Sequence, residues 1–226
     1  MVQITDRDEQ MVDWLSTVRI ADIDAIRWAL GAYLGTGQPV AVRRANHWVS
    51  RLAQAGLVDR ARPTFRDSSI VWATHQAIGK PAPNLFRQTT RHEVAVSTVS
   101  ARYLAAGFTW KRDRKPSGIL EHQADGVAQK GEHVELVEVE LTPKTWQRYK
   151  QIFDNHIYRL DREGITQISY YCTADAERIV NREADKYVFR TERHRLLAVA
   201  AFDVQGHWIS GDDGIELAQS KEPSKL

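Results

Sequence analysis

The sequence contains a single cysteine, Cys172, among its 226 residues. One cysteine cannot form an intrachain disulfide or a cysteine-rich zinc site, and its apolar surroundings favour a core residue over a nucleophile. No apolar run approaches the roughly 20 residues that cross a bilayer. The polar, acidic start MVQITDRDEQ is unlike a secretory signal. The sequence therefore predicts a cytoplasmic protein that does not contact a membrane.

The lack of a phosphate-binding loop and of a large net charge restricts the classes of function that the sequence supports. The sequence has no glycine-rich phosphate loop of the Walker or Rossmann kind, which argues against a nucleotide-driven motor or a dinucleotide enzyme. Its net charge is only +2, too small to indicate nucleic acid by itself, so the distribution of the charges has to decide. Hydrophobic residues make up 42% and charged residues 27%, which is typical of a globular protein with a buried core.

The N-terminal third predicts three helices followed by a β-hairpin. Thr5 or Asp6 can cap the first helix, with Glu9 near the third helical position. The second helix is expected to begin near Asp22. After the turn GTGQP, the third is expected over about Pro39–Ala55, because proline is tolerated in a first helical turn.

Positive charge is concentrated on the third helix and the hairpin. Between Arg43 and Arg66 the chain has six arginines and one acidic residue, whereas Met1–Val42 has six acidic residues and three arginines. Gly56 suits a left-handed helix terminus, and strands are expected from Leu57-Val58 and around residues 70–72. One face of the helix is predicted to be buried through Ala45, Trp48, Val49 and Leu52.

This order of elements predicts a winged helix-turn-helix over residues 1–78 that binds double-stranded DNA. A helix in the major groove can offer arginine to guanine and asparagine to adenine, while wing arginines reach phosphates or the minor groove. Two alternatives are open. The helix and hairpin could be amphipathic elements whose arginines are only solvated, or the winged domain could serve protein contact. A homodimer would suit palindromic sites. The predicted DNA-binding residues are Arg43, Arg44, Asn46, His47, Ser50, Arg51, Arg60, Arg62 and Arg66.

A second domain is expected after a linker at residues 79–88. Residues 89–212 read as a helix from Thr90 to Ala106, then strands, helix, strand, helix and strand. This alternation predicts a domain with a mixed central sheet, and residues 213–226 are expected to form a flexible tail. The predicted fold class is therefore α+β, with an N-terminal winged helix before the sheet-containing domain.

Three carboxylates of this domain are candidates for chemistry. In VELVEVELTPK, Glu138 and Glu140 point to one face of a strand, and Asp125 lies on the preceding strand. Asp125 and Glu138 could hold Mg²⁺, which could activate water against a phosphodiester. Lys144 would add positive charge if the turn folds back. The alternative is a half-exposed strand whose glutamates meet water or lysines, and the histidines show no spacing typical of a metal site.

Taken together, the two halves resemble the replication-relaxation family of actinobacterial, plasmid and phage proteins. The resemblance covers about Ile4 to Ser210. It is carried by ITDRDEQMVDWL, by RRANHWVSRLAQAGLVDR and by ADGVAQKGEHVELVEVELTPKTWQRYKQIF. It implies a winged helix joined to a domain similar to the PD-(D/E)xK nucleases, in proteins associated with plasmid replication, mobilisation or control of those processes.

The resemblance implies that Asp125 and Glu138 are the nuclease-type acids. Glu140 stands where active nucleases usually have lysine, Ala124 replaces the usual proline, and Lys144 is the candidate substitute for that lysine. We therefore interpret the protein as a sequence-specific DNA-binding protein of the nucleoid, a transcriptional regulator or a replication or mobilisation accessory factor. Its nuclease-like domain would be non-catalytic, and DNA binding would need no cofactor. The alternative is a Mg²⁺-dependent endonuclease targeted by its winged helix.

Overall fold

The computed structural model describes residues 3–63, 68–118 and 121–209. The chain divides into a first unit, Met1–Phe108, and a second unit, Thr109–Leu226. Helices and strands occur in both units, so the predicted α+β class is confirmed. The predicted tail at residues 213–226 lies outside the described residues. Within the described part of the chain, no helix is long and apolar enough to cross a membrane.

The first unit contains the three helices and the hairpin that the sequence predicts. A short strand ahead of the second helix, which the sequence did not predict, joins the hairpin in an antiparallel sheet of order β1-β3-β2. The elements are α1 (Asp6–Val18), β1 (Ala21–Asp22), α2 (Ile23–Tyr33), α3 (Val42–Gln54), β2 (Val58–Ala61), β3 (Ile70–Ala73), α4 (His75–Ile78) and α5 (Thr90–Ala105).

Local sequence signals explain where these helices begin and end. Thr5 caps α1, and the capping box is completed by Asp8 rather than by the predicted Glu9: the backbone N–H of Thr5 donates to its carboxylate at 2.9 Å. Asp22, near which the second helix was expected to begin, caps α2 by accepting a backbone N–H of the first turn at 2.8 Å. Gly56 follows α3 with φ +74°, the predicted left-handed conformation.

The predicted domain boundary at residues 79–88 is wrong, because helix α5 belongs to the first unit. Trp14 on α1 donates its Nε1–H to Oγ of Ser100 at 2.9 Å. The guanidinium of Arg102 lies 4.9 Å from the centre of the Trp28 ring on α2, which is a cation–π contact. The tryptophans of α1 and α2 are thus covered by a helix that the sequence pattern placed in the second domain.

The second unit is built on a five-stranded mixed sheet of order β4-β5-β6-β7-β8. Strands β4, β5 and β6 pair antiparallel, whereas β6, β7 and β8 pair parallel. The predicted mixed sheet is confirmed. The elements are β4 (Thr109–Lys111), β5 (Gly126–Lys130), β6 (His133–Glu140), α6 (Trp146–Arg162), β7 (Gln167–Thr173), α7 (Ala174–Tyr187), α8 (Arg190–Arg193) and β8 (Leu196–Phe202).

Helices α6 and α7 pack against one face of this sheet. Leu136 on β6 and Phe153 on α6 belong to the same hydrophobic core, together with Cys172, which is fully buried as predicted. Side chains alternate along a strand, so Glu138 and Glu140 point to the same face as Leu136. Strand β6 therefore carries two carboxylates beneath the helices.

Candidate functional site

The outward face of α3 is basic. Arg43, Arg44 and His47 are exposed there, and neither arginine forms an ion pair with any residue that the structure describes. The opposite face is buried through Ala45, Trp48, Val49 and Leu52, so the predicted division of this helix into two faces is confirmed. The basic face of α3 is here defined as Arg43, Arg44 and His47.

The remaining predicted DNA-binding residues differ in their exposure to solvent. Arg60 at the end of β2 and Arg62 after it are exposed, whereas Arg66 lies outside the described residues. Asn46 and Ser50 are half-buried. The Asn46 side chain also donates to a backbone carbonyl oxygen of its own helix at 3.1 Å, so it would have to exchange this hydrogen bond for one to a base.

Arg51 links α3 to the N-terminal segment of the chain, which differs from its predicted role at DNA. It forms an ion pair with Asp8 and donates to the carbonyl oxygen of Gln3 at 2.8 Å. Trp48 donates its Nε1–H to the same buried carboxylate at 2.8 Å. Burial opposes ionisation of Asp8, but the hydrogen bonds from Arg51, Thr5 and Trp48 outweigh it and lower the pKa of this carboxyl.

The three predicted acids of the second unit lie where β5 and β6 pair. Asp125 stands immediately before β5, and the strand register sets it beside Glu138. Its Oδ2 accepts the backbone N–H of Val139 at 2.8 Å. The turn after β6 folds back, because Nζ of Lys144 contacts the carboxylate of Glu140. The structure therefore brings all four predicted residues of the nuclease-type site together.

The alternative of a half-exposed strand is wrong about exposure, because Glu138 and Glu140 are each only 5% exposed, but Glu140 does contact a lysine, as that alternative predicts. Burial raises the pKa of Glu140, although the charge and hydrogen bond of Lys144 partly oppose it. Burial also acts on Glu138, but its contacts with His122 and His156 outweigh burial and hold the pKa of Glu138 well below its ordinary value.

Two histidines that the sequence analysis set aside surround Glu138. Nε2 of His122 lies 2.7 Å from its Oε1, and Nε2 of His156 lies 3.1 Å from the same oxygen. The three ligand atoms lie within 4.8 Å of one another. We call His122, Glu138 and His156 the His-Glu-His cluster. One sequence signal was available: His156 continues the buried stripe of α6 formed by Tyr149 and Phe153.

A buried ion pair positions His122 in this cluster. The chain between β4 and β5, described at residues 112–118 and 121–125, has no regular secondary structure. Arg159 on α6 binds both carboxylate oxygens of Asp113, at 2.6 and 2.8 Å, and one of these oxygens also accepts the backbone N–H of Ala124 at 2.8 Å. Because Asp113 holds both ends of this segment against α6, His122 is presented to β6.

His156 is the most unusual member of the cluster. Its side chain is fully buried, and neither ring nitrogen makes a hydrogen bond to a residue that the structure describes. Burial lowers the pKa of His156, an effect that the nearby Glu138 opposes. The hydroxyl of Tyr170, whose ring centre lies 6.1 Å from that of His156, likewise has no partner in the described part of the chain. Buried polar atoms are seldom left in this state.

The predicted Mg²⁺ ligands are engaged by other groups of the protein. Mg²⁺ prefers octahedral oxygen ligands, but one oxygen of Asp125 accepts a backbone N–H, and Oε1 of Glu138 faces two imidazoles. Glu140 is engaged by Lys144. Two imidazole nitrogens and one carboxylate oxygen are instead the ligands of borderline transition metals such as zinc.

No protein-family model matches this chain, and neither curated proteins nor solved structures show significant similarity to it. The resemblance to the replication-relaxation family therefore stays a prediction. What the chain does is inferred below from its own residues.

Proposed function

We propose that the first unit is a winged helix-turn-helix that binds double-stranded DNA through the basic face of α3, with the β2-β3 hairpin as its wing. The observation that carries this proposal is the exposure of Arg43, Arg44 and His47 on a helix whose opposite face is buried. The order α1, α2, α3 and antiparallel hairpin supports it, since a recognition helix is the second helix of a helix-turn-helix pair.

The charges of the first unit favour this reading over a merely solvated helix. Asp8 and Asp24, two of the acids in the first 42 residues, are paired with arginines that are not on the basic face of α3. Arg43 and Arg44 thus keep their charge for an external anion. Arginine can bind guanine bidentately, whereas the exposed Arg60 and Arg62 would bind phosphates.

The second unit, in this proposal, is a nuclease-like domain that does not cleave DNA. A phosphodiester has no access to Glu138 and Glu140 while both are 5% exposed, and Lys144 is engaged by Glu140 rather than available to a substrate. The resemblance to the replication-relaxation family supports a role in transcriptional control, or in plasmid replication or mobilisation, at the nucleoid. Binding to a palindromic site would require a homodimer.

Selection of bound sequences from a random duplex library tests this proposal. The selected duplex should bind the wild-type chain with a steep salt dependence. Replacing Arg43 and His47 with alanine should abolish the site preference, because each bidentate base contact contributes about 1–3 kcal/mol of discrimination. Fluorescence anisotropy on the selected and a scrambled duplex measures both effects.

The matched control is Arg7→Ala, which removes an exposed arginine from among the acidic residues of α1. It should keep the preference of the wild type. Unchanged discrimination in the α3 variant would refute the proposal. Supercoiled plasmid incubated with Mg²⁺ or Mn²⁺ should stay intact, and nicking that disappears in Asp125→Asn would establish the endonuclease instead.

A further inference from the structure

The His-Glu-His cluster has the composition of a metal centre. We propose that His122, Glu138 and His156 bind one divalent transition-metal ion of the zinc class, with Nε2 of both histidines and the Glu138 carboxylate as ligands. This site is separate from the DNA-binding face proposed for α3. It also replaces the Mg²⁺ site that the nuclease resemblance implies.

The geometry of the cluster is close to that of a coordination sphere. Zinc bonds of about 2.0–2.2 Å in a tetrahedron place neighbouring ligand atoms roughly 3.3–3.6 Å apart. The two nitrogens lie 2.7 and 3.1 Å from Oε1 of Glu138, and all three ligand atoms fall within 4.8 Å of one another. Small side-chain rotations would therefore admit an ion among them.

The unpartnered nitrogens of His156 point to a ligand independently of this geometry. His156 is fully buried, and its Nε2 approaches Glu138 without making a hydrogen bond. An unsatisfied buried polar atom costs free energy, which coordination of Nε2 to an ion would recover.

The three ligands are also held in place before any ion arrives. Glu138 lies on a central strand of the sheet, His156 on the helix that covers it, and His122 on the segment fixed by Asp113 and Arg159. An ion would thus join three elements that are distant in sequence, and its binding would stabilise the fold. Three protein ligands leave one tetrahedral position for water.

Titration of the full-length chain with metals tests the inference directly. After chelator treatment and dialysis, isothermal titration with Zn²⁺ should show one tight equivalent, whereas Mg²⁺ should show no binding at the same concentrations. Co²⁺ should produce the visible absorption of a four-coordinate nitrogen and oxygen site. A hundredfold excess of Zn²⁺ over its Kd should raise the Tm of the second unit by roughly 10 °C.

Two variants assign the binding to these residues. His122→Asn and Glu138→Gln should each weaken Zn²⁺ binding at least a hundredfold. His122 lies outside regular secondary structure, so its variant should keep the wild-type circular dichroism. His133→Asn is the matched control, because His133 contacts a buried glutamate of the same strand at the same 2.7 Å. Absence of a stoichiometric site in the wild type, or an unchanged site in a folded His122→Asn variant, would overturn the proposal.

Discussion

Two of the three buried glutamates on strand β6, Glu135 and Glu138, differ in their surroundings. Glu135 and Glu138 lie three positions apart and so point to opposite faces of the sheet. Each is at most 5% exposed, and each has a histidine Nε2 at 2.7 Å from its Oε1, from His133 and His122 respectively. Burial and one imidazole are therefore common to both.

The two glutamates differ in the other side chains that contact their carboxylates. Glu135 accepts a hydrogen bond from Oγ of Ser169 at 2.6 Å and one from Nε2 of Gln167 at 3.2 Å. Glu138 has His156 instead, whose Nε2 can offer a lone pair. A hydroxyl and an amide N–H act on Glu135 as hydrogen-bond donors, so they satisfy that carboxylate without metal. A second imidazole makes the Glu138 face a metal-ligand set.

The largest effect is expected from the buried ion pair that positions His122. Arg159→Met leaves the carboxylate of Asp113 buried without its partner, since their side chains are 3% and 2% exposed. Breaking such a pair costs about 3–5 kcal/mol of unfolding free energy. Zinc affinity should fall with it, because His122 loses its position. Urea unfolding and zinc titration measure the two effects.

A neighbouring arginine of α6 provides the control for this change. Arg162 has a side chain that is 69% exposed, so Arg162→Met should alter the unfolding free energy by less than about 0.5 kcal/mol and leave zinc affinity unchanged. If Arg159→Met remains folded and binds zinc like the wild type, the segment that carries His122 is not held by this ion pair.

A smaller effect is expected on the other face of β6. Ser169→Ala removes the hydroxyl that donates to Glu135, and loss of a hydrogen bond to a charged group costs about 1.5–3 kcal/mol. Zinc affinity should stay that of the wild type, because no ligand of the His-Glu-His cluster has changed. Urea unfolding and zinc titration of the same variant check this. A loss of zinc affinity together with stability would show that the two faces are coupled.

Short-range signals explain why much of the fold could be predicted. The cap at Thr5, the cap at Asp22 and the left-handed Gly56 act within one helical turn, and the buried stripe of α3 depends on periodicity alone. The strand alternation likewise predicted that Glu138 and Glu140 share a face. It could not predict how deeply they are buried, because that depends on the helix that covers them.

Long-range packing explains the contacts that local sequence patterns do not predict. Arg102 of α5 covers the Trp28 ring of α2, a contact between helices distant in sequence that no local pattern predicts, so the predicted boundary fell too early. His122 reaches Glu138 because Asp113 meets Arg159, 46 positions further along the chain. No spacing rule encodes such a contact. A histidine on the buried stripe of an amphipathic helix, as at position 156, is the clue that would have justified a metal hypothesis.

Giving the Glu135 face a second imidazole is the sharpest test of what separates the two faces. Gln167 is half-buried beside Glu135, so Gln167→His should change the unfolding free energy by less than about 1.5 kcal/mol. With His133 it would complete a second set of two nitrogens and one carboxylate, and zinc stoichiometry should rise from one to two. Gln167→Asn, which adds no imidazole, should keep one. If Gln167→His also binds a single ion, the number of metal-ligating side chains does not explain the difference between the two faces. The difference must then come from the fixed positions of His122 and His156.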